Sequence, residues 1–514
     1  MITNIYGAKC IGINAIPVTV EVDITSGIGI HLVGLADIAV KESLLRTVTA
    51  LQSLGYRIPG KKIVINLAPA DMHKKGSGYD LPIAVGIISA SMQEEFSEKN
   101  RFIIMGELGL DGSIRPVPGA LPISEMASAM GFSGCILPAE SAKEAYENSS
   151  VSVYGVENLK EVVEILKDTE ESERFRINGN SNHDISSHEA KDYPDFADIY
   201  GQEGAKRGLE IAAAGGHNVL MIGPPGSGKS TLAKALPGIL PSMTTEEALQ
   251  TSKIYSVAGK TGQNYGLIRE RPFRAPHHST SAAAMIGGGS DIIIPGEISL
   301  AHNGVLFLDE FCEMPKKVME SLRGPIEDRQ VTISRLRTKV CFPSSFMLAA
   351  ATNPCPCGYY GDGDKCICTP VKRDSYLAHL SGPIMDRIDI HLWLKPVETA
   401  RLIDRCKSEP SSVIAARVAD ARNIQKKRFS GTGIFTNAEM SGKMTGVFCK
   451  LDAECKEYLK KTVDTMGLSA RACHRILKIS RTIADLDNEP EITIGHLSEA
   501  SAYRFLDKRN RDGI

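Results

Sequence analysis

Three short hydrophobic runs in the middle of the chain are each followed at once by polar residues. Residues 219–222, 305–308 and 346–350 are apolar throughout, which is typical of strands buried on both faces of a sheet. A glycine-rich turn, an Asp-Glu pair and a Thr-Asn pair follow them in that order. Ligands of open α/β sheets bind outside the carboxyl ends of the parallel strands. The pattern therefore predicts a doubly wound α/β core with a binding site at one edge of its sheet.

The chain before this core carries both strand and helix periods. Apolar and polar residues alternate over residues 18–24, and apolar residues recur at helical spacing over residues 36–54. These are the periods of a half-buried strand and an amphipathic helix. The same reading predicts two more strands and two more helices, at residues 63–67, 102–105, 81–91 and 121–130. We expect a first unit that mixes helices and strands.

The remaining segments set the expected domain boundaries. The stretch from 168 to 195 is polar and lacks periodicity, so it cannot bury enough apolar surface to offset its ordering entropy and is predicted to be a flexible linker. Beyond the core, the chain is predicted to be helical. We place the first domain at 1–168, the linker at 169–195, the core at 196–397 and a helical lid domain at 398–514.

The first polar segment after a strand has the pattern of a phosphate-binding loop. It reads G-x-x-x-x-G-K-[ST] between a predicted strand and a predicted helix. Glycines let successive backbone N–H groups point at one anion, and the helix N-terminus favours negative charge. The bland alternative is a glycine-rich connection without a ligand. We predict ATP binding by residues Gly223, Pro224, Pro225, Gly226, Ser227, Gly228, Lys229, Ser230 and Thr231.

The other two strand ends complete an ATPase site. Ser230 and Asp309 are predicted to hold Mg²⁺, and Glu310 to orient or deprotonate the attacking water. Asn353 follows the third strand and faces the same ligand. Residues 198–202 are predicted to pack against the adenine.

Composition limits the other function classes. The chain has 514 residues and a formal net charge of −2, so any nucleic-acid surface must be local. The start of the chain lacks a signal-peptide pattern, and the longest apolar run, residues 81–92, is too short to cross a bilayer. We expect a cytoplasmic protein with no membrane partner.

Four of the twelve cysteines are crowded into one loop as C-x-C-x8-C-x-C. Four thiolates can close a tetrahedral zinc site, and in a reducing compartment metal binding is favoured over disulfides. Free thiols or an iron–sulfur cluster remain open, because the spacing departs from the commoner C-x2-C. The candidate zinc ligands are Cys355, Cys357, Cys366 and Cys368.

Two basic insertions interrupt the core. Residues 331–334 and 340–342 are predicted to form a hairpin whose cations Arg335, Arg337 and Lys339 contact a DNA backbone. An unremarkable surface hairpin is the alternative. Residues 271–289 are rich in glycine, alanine and basic residues, and are predicted to form a mobile loop with or without nucleic-acid contact.

Two arginines outside the core motifs are further candidates. Arg387 lies just before a predicted strand and either pairs with Asp389 or reaches the γ-phosphate of a neighbouring subunit, as an arginine finger does. Arg471 begins a predicted helix, from which it would contact ATP.

The first domain resembles the Lon-type protease fold in the blocks INLAPAD, KKGSGYDLPIA and MGELGLDGSIRPVPG. That fold's enzymes pair a serine nucleophile with a lysine base. In this chain the nucleophile position falls near Tyr79 or Asp80 and the lysine position near Leu121 or Pro122. Since a serine without a base is a poor nucleophile, we expect a non-proteolytic domain used for assembly or DNA contact.

The later motifs resemble the magnesium-chelatase-related branch of AAA+ ATPases, and the whole chain resembles the ComM/YifB family. The motifs are GPPGSGKS, RPFRAPHHSTS, PGEISLAHNGVLFLDE, AATNPCPCGYY, SGPIMDRIDIH and LSARACHRILKISRTIADL. The resemblance implies an α/β protein with a Lon-like α+β domain, an AAA+ P-loop core and a helical lid.

The family resemblance also implies a function. The resemblance implies that the protein is an ATP-driven homohexamer. It would act on branched or single-stranded DNA and promote branch migration of recombination intermediates in natural transformation. Asp309 and Glu310 would drive hydrolysis, Asn353 would sense the γ-phosphate, Arg387 would be the arginine finger and Arg471 the lid sensor. Two alternatives are a chelatase-type motor inserting magnesium into a porphyrin and an assembly factor that uses ATP without translocation.

Overall fold

The computed structural model describes most of the chain, and the structural statements below refer to these residues. The described residues are 2–34, 38–71, 74, 76–96, 101–146, 150–167, 170–178, 193–261, 266–289, 293–335, 338–380, 382–397 and 408–508.

A seven-stranded mixed sheet organises the first part of the chain. Its strand order is β3-β4-β2-β1-β5-β8-β9. The β1–β2 and β2–β4 pairs are antiparallel, and the other neighbouring pairs are parallel. The strands are β1 (Thr3–Ile11), β2 (Asn14–Thr25), β3 (Gly29–Val33), β4 (Lys62–Ala68), β5 (Phe102–Ile104), β8 (Gly134–Pro138) and β9 (Ser152–Val156), with a separate pair β6 (Glu107–Leu108) and β7 (Ile114–Arg115).

Helices cover this sheet, three at positions that the periodicity predicts and two, after β8 and after β9, that it does not predict. In β2 the alternation is realised, because Val18, Val20 and Val22 are fully buried. In the described residues of this part the helices are α1 (Ile38–Ser53), α2 (Asp80–Ala90), α3 (Ala120–Ala129), α4 (Ala139–Tyr146) and α5 (Leu159–Leu166).

The first part of the chain extends further than the sequence predicts. Residues 170–178 were expected in a flexible linker, but Ile177 N donates to Val153 O at 2.8 Å and Phe175 packs against the first core. The linker prediction is wrong for this stretch because a few apolar residues among many polar ones are enough to extend a sheet edge. The predicted linker residues 179–192 lie outside the described residues.

The second part is built on a five-stranded sheet in the order β11-β14-β17-β10-β18, and all its neighbouring pairs are parallel. Its strands are β10 (Val219–Ile222), β11 (Phe273–Arg274), β14 (Val305–Leu308), β17 (Met347–Thr352) and β18 (Ile390–Trp393). Two hairpins lie outside it, β12 (Gly287–Gly288) with β13 (Ile294–Pro295), and β15 (Gln330–Arg335) with β16 (Thr338–Pro343).

Helices connect and cover this sheet, and the last part of the chain is helical. The helices of the second part are α6 (Glu203–Gly215), α7 (Lys229–Ala235), α8 (Thr245–Val257), α9 (Ala282–Ile286), α10 (Glu297–Leu300), α11 (Lys316–Ser321), α12 (Arg323–Asp328), α13 (Pro370–Leu377) and α14 (Gly382–Met385). Those of the last part are α15 (Ser411–Arg428), α16 (Gly442–Phe448), α17 (Ala453–Met466), α18 (Ala470–Leu486), α19 (Ile494–Ala502) and α20 (Phe505–Lys508).

The insertion at residues 271–289 is more ordered than the sequence predicts. Its first residues form β11, an edge strand of the central sheet, and Met285 in α9 is fully buried. Arg271 pairs with Glu247 at 3.2 Å and Arg274 with Glu297 at 2.6 Å. The expectation of a mobile loop is wrong for these residues, because the acids that anchor the two arginines lie elsewhere in the sequence.

The first and second parts pack against each other. Gly119 N donates to Ser256 O at 3.1 Å, and Lys253 forms an ion pair with Glu125. Leu121 is buried beside Ala248 and Leu267. Among the residues placed by the structure, no helix is both long and apolar enough to cross a bilayer.

Candidate active site

The glycine-rich turn after β10 has the backbone that phosphate binding needs. Gly226 and Gly228 adopt φ values of 75° and 90°, in the left-handed region that favours glycine. A Cβ on Gly223 would lie 2.8 Å from Leu394 O, so the loop is also held close to the end of β18. The predicted P-loop is therefore a tight turn between a fully buried strand and the start of α7.

Lys229 is buried at the base of this loop. Its ammonium donates to Gly223 O at 2.6 Å, to Pro224 O at 2.9 Å and to Asn353 Oδ1 at 3.3 Å. Burial lowers the pKa of Lys229, while the nearby Asp309 carboxylate opposes that shift. The lysine and the asparagine predicted from separate motifs thus meet in one place.

Ser230 and Asp309 are also brought together. The Ser230 hydroxyl donates to Asp309 Oδ2 at 2.7 Å. A hydroxyl and a carboxylate are oxygen donors of the kind that Mg²⁺ prefers, and their separation is small enough for one cation to touch both. The pair fits the predicted magnesium site.

Glu310 has an unusual backbone and a partner that the sequence analysis did not assign to it. Its φ is 50°, which is rare for a residue with a side chain, and such conformations cluster at functional sites. Its carboxylate Oε2 lies 2.6 Å from His278 Nδ1. The only sequence signal for this contact is the His-His pair in RPFRAPHHSTS.

A cleft of about 460 Å³ lies beside the P-loop, between the core and the last helices. Gln202 reaches it and donates from Nε2 to Ser227 O at 3.1 Å and to Lys395 O at 2.6 Å. Aromatic and apolar walls suit a flat base, and Gly201 and Gln202 line the cleft, while adenine packing by residues 198–202 stays a prediction. The wall includes His391, Trp393, Tyr503 and Phe505.

Arg387 lies at the opposite edge of the sheet, where the parallel strands begin. Its carbonyl accepts from Asn218 Nδ2 at 3.0 Å, before β10 begins, while the P-loop follows the end of β10. The four residues of β10 separate the two edges by about 13 Å. Its guanidinium pairs with Glu327 at 2.7 Å instead of with Asp389. Arg387 therefore cannot serve its own P-loop.

Arg471 lies at the same edge as Arg387. Its guanidinium is 3.3 Å from Asp386 Oδ2 and is largely exposed. The adjacent cavity of about 570 Å³ is lined by four cations, Arg329, Arg387, Arg475 and Lys478, and by three acids, Glu327, Asp389 and Glu439. The structure thus groups the two predicted arginines and separates both from Lys229.

The basic hairpin forms as predicted, but it is not free of the first part of the chain. Arg335 and Lys339 are exposed, and Arg337 lies outside the described residues. The apolar face of the hairpin is buried in a cluster that Ile11 also joins. A Cβ on Gly12 would lie 2.8 Å from Cys341 O, so the β1–β2 turn presses directly on β16.

The four cysteines converge. Their Sγ atoms all lie within 4.8 Å of one another, and those of Cys355 and Cys357 are 3.8 and 3.7 Å from that of Cys366. Four sulfurs around one zinc ion lie about 3.8 Å apart. The sulfurs fit a zinc site, with Cys368 as the fourth ligand, whereas no disulfide is formed among the described cysteines.

The cysteine loop packs on the candidate nucleotide site. A Cβ on Gly358 would lie 3.1 Å from the Pro225 ring, and one on Gly361 would lie 3.2 Å from Trp393. The loop therefore touches both the P-loop and the aromatic cleft.

The first domain shows how the protease positions are filled. Asp80 is fully buried and accepts from Arg46 Nε at 2.8 Å and from Leu108 N at 3.2 Å. The Ser77 hydroxyl bonds to the Glu107 carboxylate, and Lys74 Nζ bonds to Pro69 O. The non-proteolytic interpretation of this domain stays a prediction.

Comparison with known proteins covers nearly the whole chain. The family described as "Magnesium chelatase, subunit ChlI" matches residues 195–402, "Subunit ChlI of Mg-chelatase" matches 20–141, and "Magnesium chelatase, subunit ChlI C-terminal" matches 408–504.

Individual relatives extend these matches. "Uncharacterized protein YifB" of Salmonella typhimurium is 42% identical over 508 residues, which is 98% of this chain and 97% of that protein. "Competence protein ComM" of Haemophilus influenzae is 41% identical over 505 residues, again 98% and 97%. "DNA replication licensing factor Mcm6" of Drosophila melanogaster is 25% identical over 439 residues, which is 78% of this chain and 46% of that protein.

We predict that Lys229→Ala and Glu310→Gln separate binding from hydrolysis. Lys229→Ala should lower affinity for a fluorescent ATP analogue at least tenfold, because it removes the buried loop ammonium that we predict binds the phosphates. Glu310→Gln should bind the analogue normally and lose about a hundredfold or more in turnover, since the carboxylate that orients water is gone. Normal turnover in Glu310→Gln would exclude it as the base.

We predict one tightly bound zinc ion per chain. Purified protein should contain it by elemental analysis, and Cys357→Ser with Cys366→Ser should lose it and melt at lower temperature, because few residues of the loop are buried. Cys473→Ser, a thiol outside the cluster, should retain the metal. Absence of zinc from protein purified without chelator contradicts the prediction.

Proposed function

The chain belongs to the ComM/YifB family of magnesium-chelatase-related AAA+ proteins, and from this we propose that it hydrolyses ATP to drive branch migration of recombination intermediates. The active form is a homohexameric ring in the cytoplasm. The first domain is a Lon-like, non-proteolytic element, and the last helices form the lid.

The observation that carries the proposal is the separation of the two halves of the ATPase site. Lys229, Ser230 and Asp309 converge at one edge of the central sheet, and Arg387 lies at the other. An arginine finger must reach a γ-phosphate, and Arg387 can do so only on a neighbouring subunit. A ring supplies that neighbour for every copy.

The residues on the two sides of each subunit interface define the chemistry of ATP hydrolysis there. The P-loop N–H groups and Lys229 bind the phosphates. Ser230 and Asp309 would hold Mg²⁺, which neutralises charge that develops on the phosphate oxygens. Glu310 orients the attacking water, Asn353 contacts the γ-phosphate through its amide, and Arg387 stabilises the transition state from the adjacent subunit. Because Arg471 lies at the same edge as Arg387, this lid sensor also contacts the ATP of the adjacent subunit.

DNA as the substrate is supported by the hairpin and the relatives. Arg335 and Lys339 are exposed on β15 and β16. Cations placed in this way contact phosphates without reading sequence. One relative is named a competence protein and another a DNA replication licensing factor.

A chelatase-type motor is the second candidate. The three family descriptions name subunit ChlI of magnesium chelatase. In that case ATP turnover would respond to a partner chelatase subunit and a porphyrin, and branched DNA would have no effect.

We predict that Arg387→Ala leaves ATP-analogue binding intact and lowers turnover about a thousandfold. When it is co-purified with Lys229→Ala subunits through two different tags, partial turnover should return. The reason is that an intact P-loop on one subunit then faces an intact arginine on its neighbour. Mixed rings that stay as inactive as either variant alone would exclude a shared site.

We predict that a four-way DNA junction stimulates ATP turnover more than duplex DNA does, and that ATP drives the junction to separated products on a native gel. The double change Arg335→Glu and Lys339→Glu should abolish both effects by repelling phosphates, while DNA-free turnover persists. Glu substitutions at the exposed Lys456 and Lys460 of α17 serve as the charge-matched control. Junction processing that survives the hairpin change would exclude the hairpin as the DNA contact.

A further inference from the structure

A cavity lies between the first part of the chain and the basic hairpin. Its volume is about 310 Å³, within the range of roughly 300–1,000 Å³ that is typical of small-molecule sites. The first part supplies residues 8–12, 76–79 and 116–118, and the second part supplies Val257 and Val340 among others. In the part of the chain that the structure describes, none of the lining residues belongs to the candidate ATPase site. The cavity is therefore a candidate site that the proposed ATP hydrolysis does not use.

Apolar residues form most of the cavity lining. They include Ile11, Met105, Val117, Pro118, Ile123 and Val257. At Gly78 the lining is backbone, and a Cβ there would lie 2.9 Å from Met105 Cε. The flat faces of a nucleobase are apolar enough to gain from burial in such surroundings. The interior therefore suits a flat ligand such as a base.

The lining also contains a hydrogen-bonding pair. The Ser77 hydroxyl donates to Glu107 Oε2, and Glu107 Oε1 lies 3.5 Å from Arg115 Nη1. Arg115 thus offsets the charge of Glu107, while the carboxylate keeps lone pairs for a further donor. Glutamate side chains accept hydrogen bonds from the exocyclic amino group of a base. The pair therefore favours a base that carries an amino group.

Two cations line the same cavity, Lys9 from β1 and Arg335 from β15. Arg335 is exposed and forms no ion pair with a carboxylate among the described residues. Because Glu107 is paired with Arg115, the net charge around the cavity is positive. A positive cavity favours an anionic ligand, and a phosphate group is one that lysine and arginine both bind well.

The cavity joins the first domain to the hairpin. Arg335 and Val340 belong to the hairpin, and the turn at Gly12 packs on Cys341 of β16. Ile11 lines the cavity and also belongs to the apolar cluster under the hairpin. A ligand in the cavity would therefore contact both elements at once, beside a cation that we predict to bind DNA.

We propose that this cavity binds a single nucleotide, with an amino-bearing base in the apolar interior and the phosphate at Lys9 and Arg335. The nucleotide is either free or an unstacked unit of a bound strand, because both present the same base and phosphate. The strand as its source rests on the proposed function. Unstacking costs least where a nucleotide is already unpaired, so the first domain would hold an unpaired nucleotide of a junction beside the hairpin.

The test uses 2-aminopurine, a fluorescent base with an exocyclic amino group whose emission is quenched when it stacks on neighbouring bases. A single-stranded oligonucleotide with one 2-aminopurine is titrated with the full-length protein. Emission should rise with wild type, because the base leaves its stack. Ser77→Phe, which fills the cavity, should abolish the rise. Lys9→Glu should weaken binding about tenfold by repelling the phosphate, whereas Lys9→Arg should retain it.

A second arm of the test separates the two sources of the nucleotide. The deoxynucleoside monophosphate of 2-aminopurine is titrated with Lys229→Ala protein, in which the P-loop contributes little to binding. Binding of this probe that is lost when Ser77→Phe is added assigns the cavity to a free nucleotide. Emission that responds to the oligonucleotide alone assigns it to a strand, and either result supports the site.

Controls keep the outcomes separate. Ser133→Phe, the same change at an exposed position outside the cavity, should behave as wild type, and melting temperatures verify that the variants fold. If Ser77→Phe does not fold, loss of binding in Lys9→Glu and its recovery in Lys9→Arg decide the matter. A rise in Ser77→Phe equal to that of wild type, or no response to either probe, overturns the site.

The same measurements distinguish this proposal from the proposed function. If a four-way junction stimulates ATP turnover but neither probe responds, the DNA function stands and the nucleotide cavity fails. If the probes bind in the cavity but no DNA stimulates turnover, the cavity stands and the DNA function fails.

Discussion

The polarity of the central parallel sheet is the constraint on which the other features depend. Because β10, β14, β17 and β18 all run in one direction, everything that follows a strand meets at one edge and everything that precedes one meets at the other. Lys229, Asn353, Ser230 and Asp309 collect at the first edge, and Arg387 with Arg471 at the second. A strand of only four residues is long enough to prevent the two sets from meeting within one chain.

A buried polar network fixes the second edge to the helical part. The Asp389 carboxylate accepts from Asn218 N at 3.0 Å and pairs with Arg475 of α18. Burial favours the neutral acid, but the Arg475 guanidinium, the nearby His217 ring and the Asn218 N–H outweigh it and hold the pKa of Asp389 below its usual value. Since a buried carboxylate without partners is costly, α18 and its Arg471 are held in register with Arg387.

Much of the fold and the site could be predicted because local signals carry it. The strand runs, the P-loop glycines and the acidic pair are contiguous in sequence, and the structure brings Lys229 to Asn353 and Ser230 to Asp309. What could not be predicted depends on pairs that are distant in sequence. The contact of His278 with Glu310 and the packing of the turn at Gly12 on β16 are examples. Neither contact produces a periodic pattern in the sequence. Arg471 could be recognised as a candidate, but its edge of the sheet depends on tertiary packing.

The electrostatics of Lys229 explain why this edge suits an anion. Burial lowers the pKa of Lys229, so the protein makes the charged form less favourable than it is in water. Its present acceptors are two loop carbonyls and the neutral amide of Asn353. None of these acceptors carries a full negative charge. A phosphate oxygen at the same position would recover the electrostatic energy lost on burial, and it would do so without moving the lysine from the turn that already orients it.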